Sequence, residues 1–198
     1  MRYLPVSIDT RNKKILIVGG GRVAYRKVKT LLDTEFTIDL VSMDFIDDFK
    51  TLENNPRLSF TLKEVDDNFS FGAYSYILIA TSNRTVNKIL EDKAKAAGIP
   101  FLNASDAERS DFIMHKLVTK NELTVSLSTG GKNPALLHLL SEQIELLLEN
   151  IDREKTVELH KIRQNLKAKG VKDIGKRIQD LYKKPLEEIK MYGAKQCE

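Results

Sequence analysis

The sequence contains a single cysteine, Cys197, so no disulfide can form within its 198 residues. A chain without disulfides is typical of a reducing compartment, and we expect a cytoplasmic protein. Long apolar runs are also absent. The longest, Tyr76 to Ala80, is far shorter than the roughly 20 residues that a membrane-spanning helix needs. The N-terminal segment has no apolar core of signal-peptide length. We therefore expect neither secretion nor a membrane partner.

Metal-binding and phosphate-transfer motifs are absent as well. The histidines, His115, His138 and His160, do not have the spacing of metal ligands, and we expect no bound metal. Gly131-Lys132-Asn133 lacks the Ser or Thr that follows the lysine of a phosphate-transfer loop. Apolar residues make up 41% of the chain and charged residues 30%, which excludes an intrinsically disordered protein.

The positive charge is concentrated in the last quarter of the chain. Residues 151–198 carry 13 Lys and Arg against 8 Asp and Glu, a net charge of +5, whereas residues 1–150 carry 19 against 20. A solvated helical face, nucleic-acid binding and a polyanionic small substrate are all consistent with this excess. Because the aromatic residues of this segment are two tyrosines, stacking on bases is poorly supported, and we expect no nucleic-acid partner.

Residues 14–103 alternate between strand and helix patterns. The apolar run Ile15 to Val18 is typical of a strand buried on both faces of a parallel sheet. The remaining predicted strands are 36–41, 58–62, 76–80 and 99–102. Helices are predicted over 45–52 and 86–97, and a further one has Ala24, Val28, Leu31 and Leu32 on one face. This alternation predicts an α/β fold with a doubly wound parallel sheet.

The pattern changes after Asn103. Residues 112–118 and 123–127 predict a hairpin, and Asn133 and Pro134 suit the N-cap and first position of a helix that runs to about Asn150. Because this helix is apolar around more than one face, we expect it to pack against two neighbours, one of which is another subunit. From Asp152 onward the pattern is helical and charged, with breaks near Gly170 and Pro185.

A glycine motif, Gly19-x-Gly21-x-x-Ala24, joins the first strand to the first helix. In this context it is a dinucleotide-binding fingerprint, in which a tight turn and the helix N-terminus receive the pyrophosphate. The predicted cofactor residues here are Gly19, Gly20, Gly21, Arg22, Val23 and Ala24.

The end of the second strand bears on which dinucleotide binds. Ser42 ends this strand and is a predicted cofactor residue, but the usual acidic residue is ambiguous between Asp39 and Asp44. No arginine follows at the strand end, which favours NAD over NADP.

Polar residues also follow the fourth and fifth predicted strands, at the edge where open α/β sheets bind ligands. Thr81 and Asn103 are further predicted cofactor residues. Asp106 is a candidate acid or base, and a turn or N-cap role is the alternative.

The chain resembles the precorrin-2 dehydrogenase family, in the form found at the N-terminus of siroheme synthases. The resemblance runs from Tyr3 to about Leu148. It is carried by segments 18–27 (VGGGRVAYRK), 80–81 with 86–87 (AT and VN), 103–106 (NASD), 111–114 (DFIM) and 126–134 (SLSTGGKNP).

The resemblance implies a Rossmann-type NAD domain over 1–111, a dimerisation region over 112–150 and a C-terminal helical domain over 151–198. It implies a homodimer that oxidises precorrin-2 to sirohydrochlorin with NAD, and some members also insert Fe²⁺ to give siroheme. The family's catalytic aspartate corresponds to Asp106. The implied substrate-binding residues are His115, Ser128, Thr129, Gly130 and Gly131.

Two positions depart from the family pattern. His115 and Glu108-Arg109 stand where the family often has proline, on the substrate side, and they leave ferrochelatase activity open. A non-catalytic dinucleotide-sensing module remains the alternative from another functional class, and a different small dehydrogenase is a second one.

Overall fold

A computed structural model describes residues 2–66, 68–121, 123–130 and 133–195. The chain forms two compact units, Met1–His115 and Lys116–Glu198. Within the described ranges, no helix is both long and apolar enough to cross a membrane.

The first unit is built on a parallel sheet with the strand order β3-β2-β1-β4-β5. Its strands are β1 (Lys14–Val18), β2 (Thr37–Ser42), β3 (Leu58–Leu62), β4 (Tyr76–Ile79) and β5 (Phe101–Asn103). This is the Rossmann-type arrangement predicted from the sequence. The order reverses between β1 and β4, which places a ligand crevice at the carboxyl ends of these two strands.

Both faces of the sheet are covered, which explains why β1 is apolar at consecutive positions. Ile15 and Ile17 pack with helix α1 (Arg22–Leu31) on one face, through Ala24, Val28 and Leu31. Leu16 and Val18 pack on the other face with helix α2 (Arg84–Ala97), through Leu90 and Ala94. The two helices therefore lie on opposite faces of the sheet.

Local signals set the ends of these helices. Asn83 caps α2, and its side chain accepts hydrogen bonds from the N–H groups of Thr85 and Val86. Gly98 ends α2 in the left-handed conformation, with φ of 67°. The backbone N–H of Ile99 still bonds to Ala94, so β5 begins two residues later than predicted.

Two segments differ from the sequence-based prediction. The predicted helix over 45–52 is a shorter 3-10 helix, Asp47–Leu52, that buries Phe49 and Leu52. The first hairpin strand begins at Lys116 instead of residue 112. Phe112 and Met114 pack against the sheet core of the first unit instead of pairing in the hairpin.

The second unit begins with the antiparallel hairpin of β6 (Lys116–Lys120) and β7 (Leu123–Leu127), against which α3 (Pro134–Glu149) packs. Helices α4 (Arg153–Ala168), α5 (Ile174–Tyr182) and α6 (Leu186–Lys195) follow, with breaks at the predicted positions. Their core is formed by Leu159, Ile162, Leu166, Leu181 and Ile189. The division into 112–150 and 151–198 stays a prediction.

Candidate functional site

The glycines after β1 have different structural roles. Gly19 has a φ of 129°, and a Cβ there would lie 2.5 Å from the carbonyl oxygen of Ala80. A Cβ on Gly20 would lie 1.9 Å from the carbonyl oxygen of Asp44. At Gly21, by contrast, a Cβ would have no described heavy atom within 4 Å. Gly19 and Gly20 thus allow close backbone packing, whereas Gly21 leaves open space in front of α1.

The N-terminus of α1 is suited to bind an anion. Gly21 is its N-cap, and among the residues that the structure describes no side chain caps the first turn and no acidic residue lies in it. The free N–H groups and the positive end of the helix dipole are therefore compensated by no cap or acidic side chain of the described first turn. A pyrophosphate satisfies both needs.

A cavity of about 520 Å³ opens in front of this helix end. Its size is that of a small-molecule or cofactor site. It is lined at the ends of β1, β2 and β4 and after β3 by Val18, Gly19, Gly20, Gly21, Arg22, Val23, Val41, Ser42, Met43, Asp44, Ile46, Lys63, Glu64, Val65, Ala80, Thr81, Ser82, Asn83 and Val86.

Most of the predicted cofactor residues line this one cavity: Gly19, Gly20, Gly21, Arg22, Val23, Ser42 and Thr81. Ala24 does not line it, because its side chain is fully buried in the contact between α1 and the sheet. That position agrees with the helix-packing role of the third small residue in the fingerprint.

Asp39 and Asp44, the two candidate acidic residues, lie in different environments. The Asp39 carboxylate accepts a 2.8 Å hydrogen bond from the Tyr74 hydroxyl and lies 3.7 Å from Nζ of Lys14. Burial, followed by this hydrogen bond, raises the pKa of Tyr74 to about 12. Asp44 lines the cavity, whereas Asp39 is not among the described lining residues. Of these two aspartates, Asp44 is therefore the one that lies at the cavity.

Asn103 is not among the described residues that line the cavity. Its side chain is buried, with Nδ2 donating to Oε1 of Glu91 over 2.6 Å and Oδ1 accepting from the N–H and hydroxyl of Ser105. Both ends of the amide are therefore used within the protein. These bonds tie Asn103 to the following loop, and its contact with the cofactor stays a prediction.

Asp106 begins a short 3-10 helix, Ala107–Arg109, directly after β5. It is partly buried, and within the described chain its carboxylate caps no N–H of that helix. The alternative of a side-chain N-cap is therefore not what the structure shows. Asp106 follows the strand beside β4, and it does not belong to the described residues that line the cavity.

Sequence reasoning missed the residues that hold the Asp106 loop. The Tyr3 hydroxyl donates to the carbonyl oxygen of Ala107 over 2.6 Å. Glu91 is buried, and its Oε2 lies 3.2 Å from Nε of Arg109. That contact is an ion pair without hydrogen-bond geometry, since Oε2 has no hydrogen-bond donor among the described residues. The sequence offers one signal for Glu91: it is an acidic residue at a position of α2 that faces the sheet.

The predicted substrate residues fall in both units: His115 ends the first unit, and Ser128, Thr129 and Gly130 belong to the second. Ser128 Oγ accepts from the N–H of Gly130, which has a φ of 63°, and Thr129 Oγ1 accepts from the N–H of Asn133. Asn133 caps α3 as predicted. Gly131 lies outside the described residues. His115 is partly buried at the end of the first unit.

A family model described as "Putative NAD(P)-binding" matches residues 6–116. Precorrin-2 dehydrogenase of Bacillus subtilis (strain 168) is 32% identical to this chain over 167 residues, which cover 84% of this chain and 99% of that protein. Siroheme synthase 1 of Aeromonas salmonicida (strain A449) is 35% identical over 148 residues, or 75% of this chain. The chain spans 31% of the length of that siroheme synthase.

The solved structure of SirC, a precorrin-2 dehydrogenase, superposes with a TM-score of 0.72 at 20% sequence identity. The match covers 97% of this chain and 99% of that chain. At this identity the likeness shows that the two proteins share a fold.

Proposed function

We propose that this chain, which belongs to the precorrin-2 dehydrogenase family, catalyses the NAD-dependent oxidation of precorrin-2 to sirohydrochlorin. The observation that carries the proposal is the cavity in front of the uncapped N-terminus of α1, lined by the glycine turn and by the ends of β2 and β4. A dehydrogenase needs a cofactor site and a proton acceptor close to it. Asp106 follows β5, the strand that pairs with β4.

The residues present fit a dinucleotide. The open space at Gly21 admits a pyrophosphate to the first-turn N–H groups of α1, and Arg22 adds a positive charge at the same helix end. Ser42 and Asp44, after β2, would hold the adenosine ribose, and Thr81, at the end of β4, would contact the nicotinamide half of the cofactor. When bound, the nicotinamide supplies the acceptor for a hydride.

NAD is the proposed form of the cofactor. The Asp44 carboxylate lines the cavity beside Ser42 and repels a 2′-phosphate, and no arginine follows β2 to bind one. Lys63 also lines the cavity, but its Nζ lies 5.6 Å from the centre of the Phe69 ring, in a cation–π contact. Parallel titrations with NAD and NADP test this preference, and equal Kd values contradict it.

We propose Asp106 as the residue that accepts the proton released in this oxidation. Conversion of precorrin-2 to sirohydrochlorin removes two electrons and two hydrogens, one as hydride and one as a proton. The Asp106 carboxylate is not used as a helix cap, so its oxygens are available to accept that proton from the macrocycle.

Substrate capture is assigned to the second unit. The net charge of +5 over residues 151–198 attracts a polycarboxylate such as precorrin-2. Ser128, Thr129 and Gly130 form the turn that leads to the N-terminus of α3, where one substrate carboxylate is proposed to bind. On the family resemblance, we also propose Gly131 and His115 as substrate-binding residues.

A homodimer is the proposed assembly. Leucines on one side of α3 are exposed in the single chain, and residues on the opposite side face the hairpin. The exposed set is Leu136, Leu139, Leu140, Leu146 and Leu147. An exposed apolar stripe of this length is typical of a subunit interface.

Incubation of the purified chain with precorrin-2 and NAD tests the proposed function. We expect NADH absorbance to rise together with the sirohydrochlorin spectrum, at equal molar amounts. NAD binding without either signal would instead favour a dinucleotide-sensing module. Fe²⁺ added after the oxidation is complete shows whether siroheme also forms, which tests iron as a second substrate.

A further inference from the structure

A chain of polar side chains connects the cofactor cavity to the Asp106 loop. It begins at Thr81, which lines the cavity at the end of β4. The Thr81 hydroxyl donates to Oδ1 of Asn87, and Nδ2 of Asn87 donates to the Thr81 carbonyl oxygen over 3.1 Å. Asn87 lies on α2 and is only 3% exposed, so its amide is shielded from solvent.

Ser105 extends this chain to the loop. The same Nδ2 of Asn87 donates to the Ser105 hydroxyl over 3.1 Å, and that hydroxyl donates to Oδ1 of Asn103 over 2.7 Å. The Asn103 amide is fixed in turn by the buried Glu91. Two residues of α2 therefore fix this segment, since Asn87 bonds to the side chain of Ser105 and Glu91 bonds to that of Asn103.

Asp106 is the next residue along the chain, and it depends on this support. Its carboxylate makes no cap bond in the described structure. Its carbonyl oxygen accepts from the Ser110 hydroxyl over 3.2 Å, and its N–H donates to Asn103. The backbone around Asp106, more than any contact of its side chain, sets where the carboxylate lies.

We propose that Asn87 and Ser105 are positioning residues that hold Asp106 at a fixed place relative to the nicotinamide end of the cavity. The proposal rests on the proposed function, because it concerns the proton acceptor of that reaction. Misplacement of a reacting group by about 1 Å can lower a rate by as much as 10²-fold, whereas loss of a single neutral hydrogen bond has a smaller effect. We therefore expect loss of the Ser105 hydroxyl to lower kcat, because Asp106 would no longer be held in place.

The test is a double-mutant cycle of Ser105→Ala with Asp106→Asn, assayed with precorrin-2 and NAD. We expect Ser105→Ala to lower kcat by about fivefold to tenfold in the wild-type background and by less than about twofold in the Asp106→Asn background. Ser105→Thr keeps the hydroxyl and is expected to retain most of the turnover. The melting temperature and the Kd for NAD are expected to change little. Ser59→Ala, at an exposed position of β3, is the control.

The outcomes separate this proposal from the proposed function. Unchanged kcat in Ser105→Ala beside a strongly impaired Asp106→Asn would overturn the positioning role alone. The same holds if Ser105→Ala lowers kcat equally in both backgrounds, because the hydroxyl would then act independently of Asp106. Wild-type turnover in Asp106→Asn would overturn both the assigned base and its positioning.

Discussion

Asn103 donates a hydrogen bond from its side-chain amide to the buried carboxylate of Glu91 over 2.6 Å. Asn103→Asp would place two carboxylates in contact, at a cost of about 2–4 kcal/mol of unfolding free energy at neutral pH. Acidic pH neutralises one of them, so the loss of stability should shrink as pH falls. Denaturant unfolding at several pH values measures this. Asn54→Asp, at an exposed turn, is the control, and an identical pH dependence in both variants would contradict the buried contact.

The glycine turn predicts two different phenotypes at adjacent positions. Gly20→Ala should destabilise the first unit by about 1–3 kcal/mol, because the added Cβ would meet the Asp44 carbonyl oxygen. Gly21→Asp should leave the melting temperature nearly unchanged, since open space lies there, and should weaken NAD binding at least about tenfold through repulsion of the pyrophosphate. Calorimetric titration and thermal unfolding separate the two effects.

A matched control for Gly21→Asp is Gly175→Asp, at another glycine where an added Cβ would meet open space. That variant should retain wild-type affinity for NAD. If Gly21→Asp is folded and also binds NAD with unchanged affinity, the glycine turn is not the pyrophosphate site.

The exposed leucines of α3 predict a dimer at micromolar concentration. Leu147→Lys would place a charge within the proposed apolar contact and should shift light-scattering mass toward that of one chain. His138→Lys, exposed on another side of the same helix, should leave the dimer intact. A wild-type protein that is monomeric under these conditions would contradict the assembly.

The basic C-terminal segment predicts a salt-dependent reaction. Raising ionic strength from physiological to about 1 M shortens the Debye length from about 8 Å to about 3 Å, so kcat/KM for precorrin-2 should fall. The Kd for NAD should respond less. Lys172→Glu should lower kcat/KM further than the same charge reversal, Lys29→Glu, at an exposed position of α1. A kcat/KM that does not change with salt would remove this role from the segment.

Elements fixed by local patterns were predictable from the sequence. The apolar run of β1, the glycine turn before α1 and the cap at Asn133 depend on neighbouring residues, and the structure places each where it was expected. The hairpin start was missed because Phe112 and Met114 pack against the sheet of the first unit. Such a long-range contact leaves no periodic signal.

The support of the Asp106 loop was unpredictable for the same reason. Tyr3 reaches Ala107 across 104 residues of sequence, and Glu91 meets Asn103 only once α2 has packed beside β5. The position of Asn103 at a strand end indicated a ligand contact. The buried carboxylate of Glu91, which orients its side chain, left no signal at that position of the sequence.

The most direct test of the account is the single-turnover and steady-state oxidation of precorrin-2 by Asp106→Asn, with Asp111→Asn as its control. Asp111 accepts a hydrogen bond from the N–H of Phe101, which an asparagine oxygen can also accept. We expect Asp106→Asn to lower kcat by at least about 100-fold, the typical loss of a general base, with the Kd for NAD nearly unchanged. Asp111→Asn should retain most of the turnover. If Asp106→Asn keeps more than about a tenth of the wild-type kcat, or if Asp111→Asn loses more activity than Asp106→Asn, Asp106 is not the proton acceptor.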